Sequence, residues 1–334
     1  KALNEVYPEA LLSVNYQLSS AMFCKIDNME ITDEMIANVK ARMQEIINQN
    51  LEIRKVVMTK EEAEEFYSNE KTLRGIVQID NTQKEGVSLY YCEDYFNYFF
   101  GVMPVTTAYT DVFDVIKYGD GFLVRYPSAE KPNELTNYKS NKKLLSTLEE
   151  YEDIHRVLQI DTLYKLNKEI KEGRTSNVIL LSEALHEKKM ANIADDIAKR
   201  KNVKMVLIAG PSSSGKTTFA KRLGVELRLN GLKPVTISVD NYFVERVDNP
   251  KDENGDYDFE CLEAIDLELF NNHIKTLLDG GTIDVPTFDF KVGTKRYNGE
   301  KMHLEDDEIL VIEGIHCLND KLTSSIPMEQ KYKI

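Results

Sequence analysis

Met205-Val-Leu-Ile-Ala-Gly-Pro-Ser-Ser-Ser-Gly-Lys-Thr-Thr-Phe-Ala220 is the stretch on which the reading of this chain turns. Within it, Gly210-Pro211-Ser212-Ser213-Ser214-Gly215-Lys216-Thr217 matches the pattern G-x-x-x-x-G-K-[ST] in full. The apolar run Met205–Ala209 predicts a buried strand before the loop, and Thr218-Phe-Ala-Lys-Arg-Leu223 predicts a helix directly after it. The glycines let backbone N–H groups close around phosphate oxygens, and the helix N-terminus adds a favourable dipole. Gly210, Ser212, Ser213, Ser214, Gly215, Lys216, Thr217 and Thr218 are therefore the candidate nucleotide-binding residues. Lys216 would reach the β- and γ-phosphates, and the Thr217 hydroxyl would serve Mg²⁺, so ATP and Mg²⁺ are the cofactors this motif calls for.

Downstream, Val235–Val239 and Ile309–Ile312 are further short apolar runs separated by helical pattern. Such runs fit a parallel sheet buried on both faces by crossover helices, an α/β fold of the P-loop NTPase type. Asp240 and Glu313 end two of the runs. Ligands of open parallel sheets sit beyond the carboxyl ends of the strands, which would bring both acids to the phosphates. One of them could hold Mg²⁺ while the other orients or deprotonates an attacking hydroxyl. Lys331–Ile334 reads as the start of another strand, which creates the expectation of a truncated sheet.

Upstream, three regions separate: residues 1–128, a connector over 129–200, and the P-loop region over 201–334. The first mixes helices and strands. Thr32-Asp33-Glu34 opens a helix with apolar Ile36, Val39, Met43, Ile46 and Ile47 at spacings of three and four. Thr59-Lys60-Glu61-Glu62 has the form of a capping box and predicts a second, short helix. Tyr90, Tyr91, Tyr95, Phe96, Tyr98, Phe99 and Phe100 are expected in core strand and loop, and Phe122–Tyr126 in a closing strand. Pro127–Asn141 is a polar linker, and 142–200 is mostly helical apart from a short strand expected at Asn177–Leu181.

With 42 Lys+Arg against 56 Asp+Glu, the formal charge is −14. Residues 1–130 hold 12 basic and 21 acidic side chains, which is −9 of that total and counts against binding to nucleic acid. No apolar run approaches the roughly 20 residues that span a bilayer, and no signal-peptide pattern opens the sequence. Cys24, Cys92, Cys261 and Cys317 have no metal or framework spacing. They are expected to be reduced thiols in a cytoplasmic protein.

The P-loop region resembles the uridine kinases of the uridine kinase and phosphoribulokinase group. The likeness is carried by Ala209–Thr218, Ser238-Val-Asp-Asn-Tyr-Phe243, Asp258-Phe-Glu260 with Glu263–Asp266, Pro286-Thr-Phe-Asp-Phe290 and Glu313-Gly-Ile315, in that order. The resemblance implies ATP-dependent phosphorylation of a nucleoside 5′-hydroxyl, with uridine or cytidine as acceptor. It implies Asp240 as general base, Lys216 on the phosphates, and Thr217 with Glu313 as the magnesium site. Phe259, Glu260, Phe288 and Phe290 fall where that group lines its nucleoside pocket, although the aromatics would equally serve as core between sheet and helix. Glu260 stands where many members have Asp.

Residues 1–128 are similar to the second additional (editing) domain of threonyl-tRNA synthetases, on Tyr7–Ala10, Ile31–Glu34, Met58–Phe66 and Tyr90-Tyr91-Cys92. That pairing of domains resembles a group of bacterial nucleoside kinases. Cys92 occupies the place of the editing cysteine, but Glu93-Asp94-Tyr95-Phe96 follows it, so an inert thiol is expected. The chain is expected to be truncated at both ends. The histidine motif of the editing domain would precede Lys1, and the lid and base-binding residues would follow Ile334. In that case it would bind ATP weakly and turn nucleosides over poorly. The competing readings are a kinase for another hydroxylated acceptor, an ATP-binding regulatory or RNA-sensing module, and a residual deacylase. Homo-oligomerisation is left open.

Overall fold

A computed structural model of the protein describes residues 1–68, Ile79 and 86–334. The chain divides into two units, Lys1–Val178 and Ile179–Ile334. In the first, α1 (Ala2–Val6) precedes an antiparallel sheet ordered β1-β2-β7-β6, from Leu12–Gln17, Ala21–Ile26, Gly121–Arg125 and Asp114–Tyr118. A second antiparallel sheet runs β3-β4-β5, from Arg54–Thr59, Gly86–Cys92 and Tyr95–Tyr98.

Local signals account for both early helices. The Thr32 hydroxyl accepts from the Met35 N–H at 3.1 Å and starts α2 (Asp33–Asn48). Its buried Met35 and Ile36 pack with Cys24, Ile26, Val115 and Phe122 of the first sheet. At α3 (Lys60–Ser68) the capping box is reciprocal. The Glu62 N–H donates to Thr59 Oγ1 at 3.2 Å, and the Thr59 N–H donates to Glu62 Oε2 at 2.8 Å. Thr59→Ala removes one side of that box and is expected to cost about 1 kcal/mol of stability, read as a lower urea midpoint at constant slope.

The aromatic run is split between core and surface. Tyr90 is buried and donates its hydroxyl to the Gly101 carbonyl at 2.8 Å, and Tyr91 packs on Phe96 with ring centroids 5.6 Å apart. Phe100, expected in the core, is 79% exposed. It lies past the end of β5, where the strand alternation that buries every second side chain no longer acts, and it stacks on Phe99.

Three helices follow the linker: α4 (Lys142–Val157), α5 (Leu163–Lys171) and α6 (Thr175–Lys199). The strand expected at Asn177–Leu181 is instead part of α6. A five-residue apolar run cannot be told from a helix segment by periodicity alone. Here Leu180, Leu181, Ala184 and Leu185 favour helix, and the far end of α6 packs Ala194 and Ile197 into a core at helical spacing.

The second unit is built on a parallel sheet ordered β13-β8-β12-β9, from Lys331–Lys333, Met205–Ile208, Glu308–Glu313 and Lys233–Ser238. Strand alternation divides its side chains between two cores. Val206, Ile208, Ile309 and Val311 face α7 (Lys216–Leu229), which contributes Ala220, Leu223 and Leu227, and the end of α6. Met205, Leu207, Leu310, Ile312 and Ile237 face α8 (Leu267–Leu278), through Phe270, Ile274 and Leu277. The two central strands, β8 and β12, are therefore apolar on both faces, as a parallel sheet covered on both sides requires. The sequence reading did not anticipate the antiparallel hairpin of β10 (Thr282–Asp289) and β11 (Thr294–His303). Pro286 sits at the register shift of that hairpin, where a strand tolerates a residue without an N–H.

Candidate active site

β8 ends at Ile208, and the chain turns through Ala209–Gly215 into α7. Gly215 caps that helix at φ +86°, with no side chain of its own or of a neighbour capping the terminus. Open space surrounds the position, so glycine is needed there for its backbone angle. Ser213 takes φ +60°, a second left-handed residue of the kind that lets successive backbone N–H groups form an anion-binding concavity. The loop is otherwise exposed, and Lys216 folds back over it with Nζ donating to the Pro211 carbonyl at 3.0 Å.

Glu313 is the last residue of β12, in register with Ile208 on one side and Ser238 on the other. It therefore stands between the strand that feeds the loop and the strand that leads to Asp240. Asp240 lies beyond β9, in the 3₁₀ turn Val239–Tyr242, and not at the strand's end as expected. Although its side chain reaches solvent, its carboxyl is held above the ordinary carboxylate range. Partial burial is the main cause, the Glu313 charge adds to it, and Lys216 opposes it. The buried Cys317 thiol feels the same three groups: burial first, then Glu313, push it up to about 12, which makes it inert. Lys216, Asp240 and Glu313 thus share one electrostatic neighbourhood at the carboxyl edge of the sheet.

Gly314 permits this approach. An ideal Cβ there would fall 2.7 Å from Val239 Cβ and 2.8 Å from its Cγ2, atoms adjacent to the backbone that cannot swing away. Gly314→Ala is expected to destabilise the fold by about 1–3 kcal/mol and to separate Glu313 from Asp240. Denaturant titration, with turnover measured on the folded fraction, tests both effects.

The aromatic candidates separate. Phe288 is buried in the core beside Phe243, with centroids 5.6 Å apart, and Phe290 lies 5.0 Å from Phe288 and 5.6 Å from Phe243 while 55% exposed. Phe243 was not singled out from the sequence, although it stands three residues after Asp240, where one turn would bring the two together. Phe259 is 45% exposed and packs on Tyr257 at 5.9 Å. Glu260 is exposed, its N–H donating to Asp258 Oδ1 at 2.9 Å. Among the described residues neither Phe259 nor Glu260 joins the three-ring cluster.

Among the described residues no group of three or more His, Cys, Asp and Glu side chains could hold a metal ion. A phosphate-bound Mg²⁺ does not need such a group, since it takes one or two protein oxygens and completes its shell with phosphates and water. Thr217 and Glu313 are the two residues the sequence reading offers for that role.

Comparison with known proteins bears on the second unit. Residues 205–327 match the Phosphoribulokinase / Uridine kinase family. That range holds the loop, Asp240, Phe243, Phe259, Glu260, Phe288, Phe290 and Glu313. A uridine kinase of Ligilactobacillus salivarius is 32% identical over 125 residues, covering 37% of this chain and 57% of that protein. A uridine kinase of Halobacterium salinarum is 29% identical over 119 residues, covering 36% of this chain and 51% of that protein. The chain thus spans about half the length of the curated relatives it matches. A solved structure described as a possible uridine kinase from Bacillus stearothermophilus shares 23% identity over 41% of this chain and 77% of its own, with a TM-score of 0.33.

Proposed function

We propose that this protein transfers the γ-phosphoryl group of ATP to the 5′-hydroxyl of a nucleoside, with uridine or cytidine as acceptor. The observation that carries the reading is the convergence of the Gly210–Thr217 loop, Glu313 and Asp240 at one edge of the parallel sheet. In this reading the loop N–H groups and Lys216 hold the phosphates, and Thr217 with Glu313 hold Mg²⁺. The metal, when bound, draws charge from the transferring group. Asp240 accepts the proton of the attacking hydroxyl, a task suited to a carboxyl whose basicity has been raised by its surroundings. Phe290 offers an exposed ring face to the base and Phe288 supports it from the core, while Phe259 and Glu260 close the acceptor side from their own loop.

The same reading takes residues 1–128 as a threonyl-tRNA synthetase-like domain without editing chemistry, 129–200 as a connector and 201–334 as the kinase region. Burial raises the Cys92 thiol above its ordinary value, which supports an inert cysteine. A cytoplasmic location belongs to the proposal as well; among the described residues no helix is long and apolar enough to cross a membrane. A panel of nucleosides offered with Mg·ATP tests the function, read as acceptor-dependent release of ADP. Release with uridine or cytidine is expected, and turnover only with sugar phosphates would overturn the acceptor assignment.

A further inference from the structure

The turn between β10 and β11, which carries Phe290, is gripped from outside by two residues that follow Asp240 in the chain. The Arg246 N–H donates to the Gly293 carbonyl at 3.0 Å, and Arg246 Nη2 donates to the Phe290 carbonyl at 2.5 Å. Glu245 Oε1 accepts from the Lys295 N–H at 3.0 Å. Inside the turn, Asp289 Oδ1 accepts from the N–H groups of Lys291 and Val292, and the Gly293 N–H donates to the Asp289 carbonyl at 2.6 Å. Gly293 is buried at φ +80°, and an ideal Cβ there would lie 2.6 Å from Arg246 Nε and 2.9 Å from Cζ. The guanidinium therefore lies where a side chain at 293 would have to go. Among the described residues Arg246 forms no ion pair with a carboxylate, so its donors are available for this grip. The segment that bears Arg246 is itself anchored, since the Val244 N–H donates to the Ala264 carbonyl at 2.9 Å and Phe243 bridges to Ile265.

We infer that Arg246 is a positioning residue for the acceptor: its clamp on the hairpin turn holds Phe290 against Phe243 and Phe288 at a fixed place relative to Asp240. Gly293 makes room for the clamp. The inference rests on the kinase reading above, because it assigns the hairpin to the acceptor side of that site. The guanidinium reaches the Phe290 carbonyl through Nη2 while its plane covers the Gly293 backbone; a lysine ammonium can offer one such bond but has no planar group to lie over the glycine. The flank of the hairpin is also held by Lys295 Nζ on Asp266 Oδ2 at 2.6 Å, whereas Arg246 acts on the turn at 290–293 itself. Releasing the clamp frees the ring that the acceptor base would stack on, and a displacement near 1 Å can cost about 10²-fold in reaction rate.

The test compares Arg246→Ala, Arg246→Lys, Gly293→Ala and the double variant Arg246→Ala/Gly293→Ala in the full chain. Acceptor KM, ATP affinity by calorimetry, melting temperature, and amide exchange of the peptide spanning 290–295 are measured for each. Arg246→Ala is expected to raise acceptor KM roughly 10- to 100-fold with ATP affinity unchanged, and to speed exchange in that peptide. Arg246→Lys should fall between Arg246→Ala and the wild type. Gly293→Ala, which keeps the arginine but displaces it, should resemble Arg246→Ala, and the double variant should lose less than the two single losses combined. An unchanged acceptor KM in Arg246→Ala, or an equal loss of ATP affinity, would overturn the inference. If the wild type turns over no nucleoside, the kinase reading has failed, and the clamp is then decided by exchange alone: faster exchange in Arg246→Ala supports it, and unchanged exchange removes it.

Discussion

Asp240→Asn is expected to lower kcat by about 10²–10⁴ while leaving ATP affinity close to that of the wild type, because general-base assistance is felt in the transition state and not in nucleotide binding. The amide keeps the shape of the carboxyl and removes only its capacity to take a proton. The wild-type pH profile carries a related signature. A base works in its deprotonated form, and Asp240 is held above the ordinary carboxylate range by burial and by Glu313. The acid limb of kcat/KM should therefore lie above the pH at which an ordinary aspartate titrates, with activity rising through that limb as pH increases. Initial rates over a pH series, beside calorimetric ATP titrations at fixed Mg²⁺, decide the matter. Preserved kcat with weakened Mg²⁺ binding would make Asp240 a metal ligand and not the base.

Lys216→Ala should weaken ATP binding by roughly 10- to 100-fold, the worth of one charge-assisted hydrogen bond of about 1.5–3 kcal/mol. Turnover should fall further, by at least about 10²–10³, because the ammonium also meets charge that develops on the transferring group. The side chain lies over an exposed loop, and among the described residues its terminal nitrogen bonds only the Pro211 carbonyl, so the melting temperature should scarcely move. Removing the ammonium also takes away the positive charge that opposes the rise in Asp240 basicity, so any residual activity should show its acid limb at still higher pH. Calorimetry that returned wild-type ATP affinity for this variant would dismiss the loop as a nucleotide site.

Where chemistry depends on neighbouring residues in the chain, reading the chain was enough. The Gly210–Thr217 loop, the strand before it and the helix after it are one contiguous stretch whose geometry follows from two glycines and a buried apolar run. The N-cap at Thr32 and the capping box at Thr59 are likewise local, and both form. The run at Asn177–Leu181 was misread because five apolar residues suit either period, and the choice was made by Ala194 and Ile197, more than a dozen residues away.

Sequence by itself thus determined the Gly210–Thr217 loop between its strand and helix, the parallel character of the sheet and the identity of its two acids, since each is written in residue type over a few consecutive positions. Only the tertiary structure decided that Glu313 stands between Ile208 and Ser238, that Asp240 sits past its strand in a turn with a raised proton affinity, and that Phe243 completes the ring cluster. It alone brings Arg246 over Gly293, 47 positions along the chain. Strand order and close approach depend on which distant surfaces exclude water together, and neither an isolated arginine nor an isolated glycine carries any local mark of the partner it will meet.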